Sequence, residues 1–160
     1  MKTKTLFALL ILVCLNLNAQ VKSNNLYFEA FGNGGLYSLN YERLFTENLG
    51  GRIGFMYLPS IDFIFSSAEN LITVPVMLNY LAGENSKLEL GAGIIFVSVD
   101  DVSFWGIKSK KGSSSVAGTA AIGYRYQPKD VGFLFRIGLT PFFSGDGAAI
   151  SGGVSIGISF

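Results

Sequence analysis

From residue 24 onward, apolar and polar residues alternate with a period of two, in stretches of about ten residues broken by turn-forming segments. The alternation predicts eight strands, over 24–32, 35–45, 50–58, 71–81, 88–98, 116–126, 132–143 and 148–160. Between them lie Gly32-Asn33-Gly34-Gly35 and the connections 46–49, 59–70, 82–87, 99–115, 127–131 and 144–147. No stretch after the N-terminal segment carries a helical stripe. One face of the strands is aliphatic and aromatic, as in Leu26, Phe28, Ile53, Phe55, Val76, Leu78, Ile94, Phe96, Phe135, Ile137, Val154 and Ile156. Its one charge is Arg43, near a strand end. The other face is small, polar and sparsely ionised, as in Ser38, Asn40, Gly54, Thr73, Asn79, Gly91, Thr119, Thr140 and Ser155.

Two closed architectures produce this pattern. A soluble lipocalin-like barrel turns its apolar face inward and covers its outside with charge, whereas a membrane barrel does the reverse. The polar face is too poor in Lys and Glu for a soluble exterior, and the apolar face is too bulky for an eight-strand interior. Its aromatics gather toward strand ends (Tyr41, Phe45, Tyr80, Tyr124, Tyr126, Phe133, Phe160), as in an interfacial girdle. The expectation is therefore an all-β, eight-stranded, antiparallel up-and-down transmembrane β-barrel, with the soluble ligand-binding barrel as the alternative. An even strand number puts both ends of the barrel chain on one side, taken as periplasmic. The long connections 59–70 and 99–115 then face outward, and Gly32–Gly35 is a tight outer hairpin turn.

The first residues change the picture of location. Lys2 and Lys4 precede an unbroken apolar run over 6–15, and Asn16-Leu17-Asn18-Ala19 follows it. Ten apolar residues suit a secretory signal and are too few to span a bilayer as a helix, which takes ~20. Cleavage after Ala19 divides the chain into a signal peptide, 1–19, and a barrel, 20–160. Cleavage also removes Cys14, the single cysteine, so the barrel has no disulfide. Ten basic and eleven acidic residues remain, leaving a net charge near zero. Such a chain has no strong polyanion partner, and nucleic acid is not expected.

Composition narrows the chemistry. Apolar residues make up 49% and charged residues 14% of the chain, the latter against roughly 25% in an ordinary soluble domain. Histidine is absent, which removes the commonest general base and most zinc sites. No catalytic residue, metal site or cofactor is expected.

The export signal ending Asn-Ala-Gln, the stretch Gly-Asn-Gly-Gly-Leu-Tyr-Ser-Leu-Asn-Tyr-Glu-Arg-Leu-Phe over 32–45 and the closing strand with its terminal Phe160 together resemble a known family. The chain resembles the small eight-stranded outer-membrane β-barrels of the OmpA membrane-domain and OmpX-like kind, in the form found in Bacteroidetes-type bacteria. The resemblance implies a bacterial outer-membrane location, with outer-membrane lipids and lipopolysaccharide as surroundings. Val154, Ile156, Ile158 and Phe160 are similar to the terminal-strand signal read by the barrel assembly machinery. The family includes adhesins, structural anchors and enzymes; the lipid-A-modifying enzymes among them use a catalytic histidine that this chain lacks.

Two groups of side chains are candidates for function. Glu29, Glu42, Arg52, Glu89, Arg125 and Arg136 fall on the inward face in its periplasmic half, with Glu42 near Arg52 and Glu89 near Arg125 on neighbouring strands. Buried charge is costly unless paired, so a salt-bridge network that plugs the lumen is expected, with a narrow ion or solute path as the alternative. The second group is the 99–115 loop, where Phe104, Trp105, Lys108, Lys110 and Lys111 could grip lipopolysaccharide phosphate or an extracellular partner. The expected role is structural or surface-interaction, in adhesion or envelope integrity.

Overall fold

The computed structural model describes residues 24–59, 61–63, 66–68, 70–99, 102–104, 107–109, 113–128, 132–145 and 147–160. The expected signal peptide, its cleavage point and Cys14 lie outside the described residues. Among the described residues twelve strands form: β1 (Asn24–Ala30), β2 (Tyr37–Leu44), β3 (Leu49–Leu58), β4 (Ile61–Phe63), β5 (Ser66–Ala68), β6 (Leu71–Gly83), β7 (Ser86–Val99), β8 (Val102–Phe104), β9 (Ile107–Ser109), β10 (Ser113–Tyr126), β11 (Gly132–Ser144) and β12 (Gly147–Ser159). Eight of them close into one antiparallel barrel in the order β1-β12-β11-β10-β7-β6-β3-β2. The short pairs β4–β5 and β8–β9 are separate two-stranded ladders inside the two long connections.

Closure comes from the pairing of β1 with β12, from Asn25 opposite Ser159 to Ala30 opposite Val154. Two backbone bonds of 2.8 Å, exchanged between Asn24 and Phe160, extend it by one residue pair. A closed ladder has no edge, so every barrel strand has a partner on both sides. Residue 160 and the short connections at 45–48 and 84–85 share one end of the barrel, and the two ladders belong to the other.

Strand parity fixes which side chains face out, because successive residues point to opposite faces. Leu78 is 59% exposed, Ile156 53% and Ile137 48%, whereas Glu42, Arg125 and Asn79 are wholly buried. The large apolar residues therefore face away from the axis and the charged ones toward it, the reverse of a soluble ligand-binding barrel. The soluble alternative is excluded by this orientation.

Three expectations need correction. Strands β1 and β2 are shorter than the alternation predicts, ending at Ala30 and beginning at Tyr37. The inward face is less uniformly polar than expected: Tyr27, Met77, Leu81, Ala121 and Leu134 are buried there. Met56, Leu71, Ile95, Val97 and Phe142 also form an apolar cluster inside the barrel, with Leu36, Tyr37 and Leu58 packed against it. Finally, the tight turn expected over Gly32–Gly35 does join β1 to β2, closed by a 3.0 Å bond from the Gly35 N–H to the Gly32 carbonyl, but all four residues are buried instead of standing outside.

The outward face gives a direct test. Ile137 lies near the middle of β11 with its side chain pointing out. Ile137→Arg should destabilise the barrel in lipid vesicles by about 2–4 kcal/mol, read by reversible denaturant unfolding. A change below about 0.5 kcal/mol would mean that this face does not meet hydrocarbon.

Candidate functional site

The six expected lumen charges converge on a single alternating chain. Arg52 Nη1 lies 3.5 Å from Glu29 Oε1, and the same oxygen lies 3.3 Å from Arg136 Nη1. Arg136 then grips Glu89 in fork geometry, Nε to Oε2 at 2.7 Å and Nη2 to Oε1 at 2.5 Å. Glu89 Oε2 stands 3.5 Å from Arg125 Nη1, and Arg125 ends the series on Glu42. Base and acid alternate from Arg52 to Glu42, so each interior charge in the chain has a neighbour of opposite sign on either side. A two-pronged Arg–carboxylate contact such as Arg136–Glu89 is the strongest and most directional form of such a pair.

Of the two pairs that strand proximity favours, Glu89 and Arg125 do meet, at 3.5 Å, whereas Glu42 and Arg52 do not pair. Glu42 and Arg52 are direct cross-strand neighbours on β2 and β3. Yet Glu42 reaches across the lumen to Arg125 on β10, while Arg52 turns to Glu29 on β1. The barrel is narrow enough for long side chains to meet across its axis, so strand adjacency does not decide the pairing. Neutral polar groups complete the shell. Asn79 Nδ2 donates to Glu42 Oε1 at 2.7 Å, and Asn25 Nδ2 donates to Glu42 Oε2 at 3.0 Å. Gln127 Nε2 donates to Asn25 Oδ1 at 3.0 Å and to Ser159 Oγ at 3.1 Å, near the end that carries residue 160.

Tyr27 is the charge network's aromatic member, a residue that the alternation alone assigns to the inward face without marking it. Its ring lies under the Arg136 guanidinium, 4.8 Å from centroid to Cζ, a distance at which the ring quadrupole attracts the cation. Its hydroxyl accepts from Arg52 Nη1 at 3.5 Å. The signal that could have found it is a bulky aromatic two residues from a lumen glutamate on the same strand face.

Beyond the ion chain the β1–β2 connection folds into the barrel. Phe31 adopts φ 57°, a left-handed conformation unusual for an aromatic residue, and the chain then turns inward. The connection is pinned from several strands. Asn33 Oδ1 accepts from Arg52 Nη2 at 2.5 Å, and Asn33 Nδ2 donates to Thr119 Oγ1 at 2.6 Å and to the Ala120 carbonyl at 3.1 Å. Thr73 Oγ1 donates to the Gly34 carbonyl at 2.5 Å, and Ser151 Oγ to the Phe31 carbonyl at 2.6 Å. Glycine is required by space here. A Cβ on Gly153 would stand 2.8 Å from Gly32 Cα, and one on Gly32 would stand 2.0 Å from Glu29 Cδ. The apolar cluster of Met56, Leu71, Ile95, Val97 and Phe142 occupies another part of the interior.

The second candidate group is only partly described. Phe104 belongs to β8 and Lys108 to β9, while Trp105, Lys110 and Lys111 lie outside the described residues. Val154, Ile156 and Ile158 sit on β12 with Phe160 just beyond it, all exposed on the barrel's outer face. Among the described residues no cluster of His, Cys, Asp and Glu suited to a metal ion is present.

This geometry defines the class: a small closed β-barrel of the outer-membrane type, eight strands with an apolar outside and an ionised inside. The fold matches that of the N-terminal β-barrel domain of OprF from Pseudomonas aeruginosa, with a TM-score of 0.64 and 11% identity over 86% of this chain and 96% of that one. It also matches Ail, the attachment invasion locus protein of Yersinia pestis, with a TM-score of 0.51 and 13% identity over 87% of this chain and 99% of that one. At these identities the likeness is one of fold. No protein-family model and no curated protein matches the sequence.

The ion chain makes a quantitative prediction about coupling. Glu89→Leu or Arg136→Met alone leaves each remaining ion one partner but the buried chain with one unbalanced charge, and should cost up to about 3–5 kcal/mol. The double variant removes one acid and one base together, so its loss should fall well short of the sum of the two single losses. Denaturant unfolding of the four proteins measures this; strict additivity would mean that the two groups act independently.

Proposed function

We propose that this chain is a bacterial outer-membrane barrel with a closed lumen, which works through its two surfaces rather than along its axis. Export by the 1–19 signal would deliver it, and the terminal strand with Phe160 would be read during assembly. The observation that carries the reading is the burial of Gly32–Gly35, hydrogen-bonded through Asn33 and Gly34 to β3, β6 and β10 beside the ion chain, with the preceding Phe31 carbonyl tied to β12. Side chains and backbone thus fill the interior from several directions. A void beside Glu29, Glu89 and Arg136 measures about 20 Å³, room for roughly one water molecule.

With the lumen closed on this reading, the remaining functional surfaces are the lipid-facing wall and the long connections. The 99–115 connection, with Phe104, Trp105, Lys108, Lys110 and Lys111, would then make the outer contact, to lipopolysaccharide or to a partner beyond the cell. The name of Ail describes attachment, and the two chains share the scaffold from which such loops project. The role is adhesion or envelope integrity, without catalysis.

Conductance tests the closed lumen. The purified protein in planar bilayers should give no steady current, whereas Asn33→Ala combined with Arg52→Ala, which removes both sides of the loop clasp, should raise the frequency of openings. Large, stable conductance from the unaltered protein would overturn the reading in favour of a narrow channel.

A further inference from the structure

Arg43 has no place in the lumen network. It lies on β2, one residue from the strand's end, with its side chain exposed on the outward face. Among the described residues of the barrel strands it is the single charged side chain on that face, and no described residue forms an ion pair with it. A guanidinium at the edge of hydrocarbon is costly unless it reaches an anion or water.

The wall beside it is hollowed. Arg43 stands opposite Gly51, Gly51 opposite Leu78, and Leu78 opposite Ala92, so the row running away from Arg43 contains two small residues. A groove of about 500 Å³ follows, with Tyr41, Phe45, Ile53, Leu78 and Ile94 among its lining residues. The Phe45 ring lies against Gly51, where a Cβ would come within 2.7 Å of its Cζ. A second hollow of about 270 Å³, reaching Leu39, Phe55 and Val74, shares Tyr41 and Ile53 with the first. The two form one track along the wall. From the level of Arg43 to that of Leu39 is four residues, about 13 Å of strand rise. With strands tilted by about 35–45°, that rise covers roughly 10 Å of depth, about two-thirds of the ~15 Å half-thickness of the hydrocarbon.

We propose that this track is a binding site for a single glycerophospholipid, its phosphate held by Arg43 and one acyl chain lying in the groove. The site rests on the membrane reading above. Arg43 marks the barrel end that carries residue 160, so the lipid belongs to the leaflet on that side. Arginine suits the task because its planar fork can meet two phosphate oxygens at once. Small residues in the row beside it let the chain lie closer to the barrel than bulky side chains would, and the ring walls flank it on either side.

Native mass spectrometry of the full-length protein in lipid-free detergent, titrated with dioleoylphosphatidylglycerol, tests the site. The protein should retain one lipid, and should not retain dioleoylglycerol, which has the same tails and no phosphate. Arg43→Ala should weaken retention roughly tenfold or more, the scale of one charge-assisted hydrogen bond, with Arg43→Lys between the two. Ala92→Phe fills the groove while leaving Arg43 intact, and should also weaken retention. Equal adducts in all variants, equal retention of the phosphate-free probe, or a protein dimer in place of the lipid adduct would overturn the proposal. Heat-modifiable gel migration run on each sample separates the two readings. Folded barrels that retain no lipid refute the groove alone, whereas a chain that needs no detergent refutes the membrane reading beneath it.

Discussion

The organising constraint is the pairing of charge inside a wall whose other side is apolar. Among the described residues, the three arginines and three glutamates of the ion chain point into the barrel, and each finds an opposite charge within 3.5 Å. Remove that pairing and the polar face of every strand becomes a liability, because an isolated ion in a poorly solvated interior is strongly disfavoured. The pairing also depends on the barrel being narrow, a width that its eight strands set. Only across a short diameter can Glu42 on β2 reach Arg125 on β10, and Arg136 on β11 reach Glu29 and Glu89 on two different strands.

The outer wall obeys the complementary rule. Closure through β1 and β12 leaves no unpaired strand edge, so the surface offers side chains rather than backbone groups to its surroundings. Those side chains are aliphatic and aromatic over nearly the whole circumference. A face of this extent is incompatible with water and suited to acyl chains, and among the described residues of the barrel strands Arg43 is the one charge on it. Inside and outside thus differ in kind: the interior carries paired charge and polar side chains, and the exterior of the strands carries aliphatic and aromatic ones.

Much of this was legible in the sequence, because period-two alternation is a strong signal when one face is uniformly apolar. The eight strands and the inward position of the six charges follow from residue parity alone. Three features were not legible, each for a physical reason. The charge partners depend on reach across the lumen, which strand order does not encode, so Glu42 and Arg52 are adjacent yet look elsewhere. The inward apolar residues are hidden in runs such as Ile94-Ile95-Phe96-Val97, where apolar residues on both faces erase the alternation. The connection Gly32-Asn33-Gly34-Gly35 has the composition of an exposed hairpin. Its burial depends on Thr73, Thr119, Ser151 and Gly153, residues distant in sequence that meet it only once the barrel has closed.

The central claim is that the apolar face contacts lipid while the charged face surrounds the axis. Paramagnetic relaxation in lipid nanodiscs measures this most directly, with a spin label placed on the acyl chains and isoleucine, leucine and valine methyl signals as the readout. The methyls of Ile137, Val154 and Ile156 should broaden strongly, and those of Leu134 and Leu71 should be largely protected. Strong broadening of Leu134 and Leu71 together with unaffected signals from Ile137 and Ile156 would contradict the account.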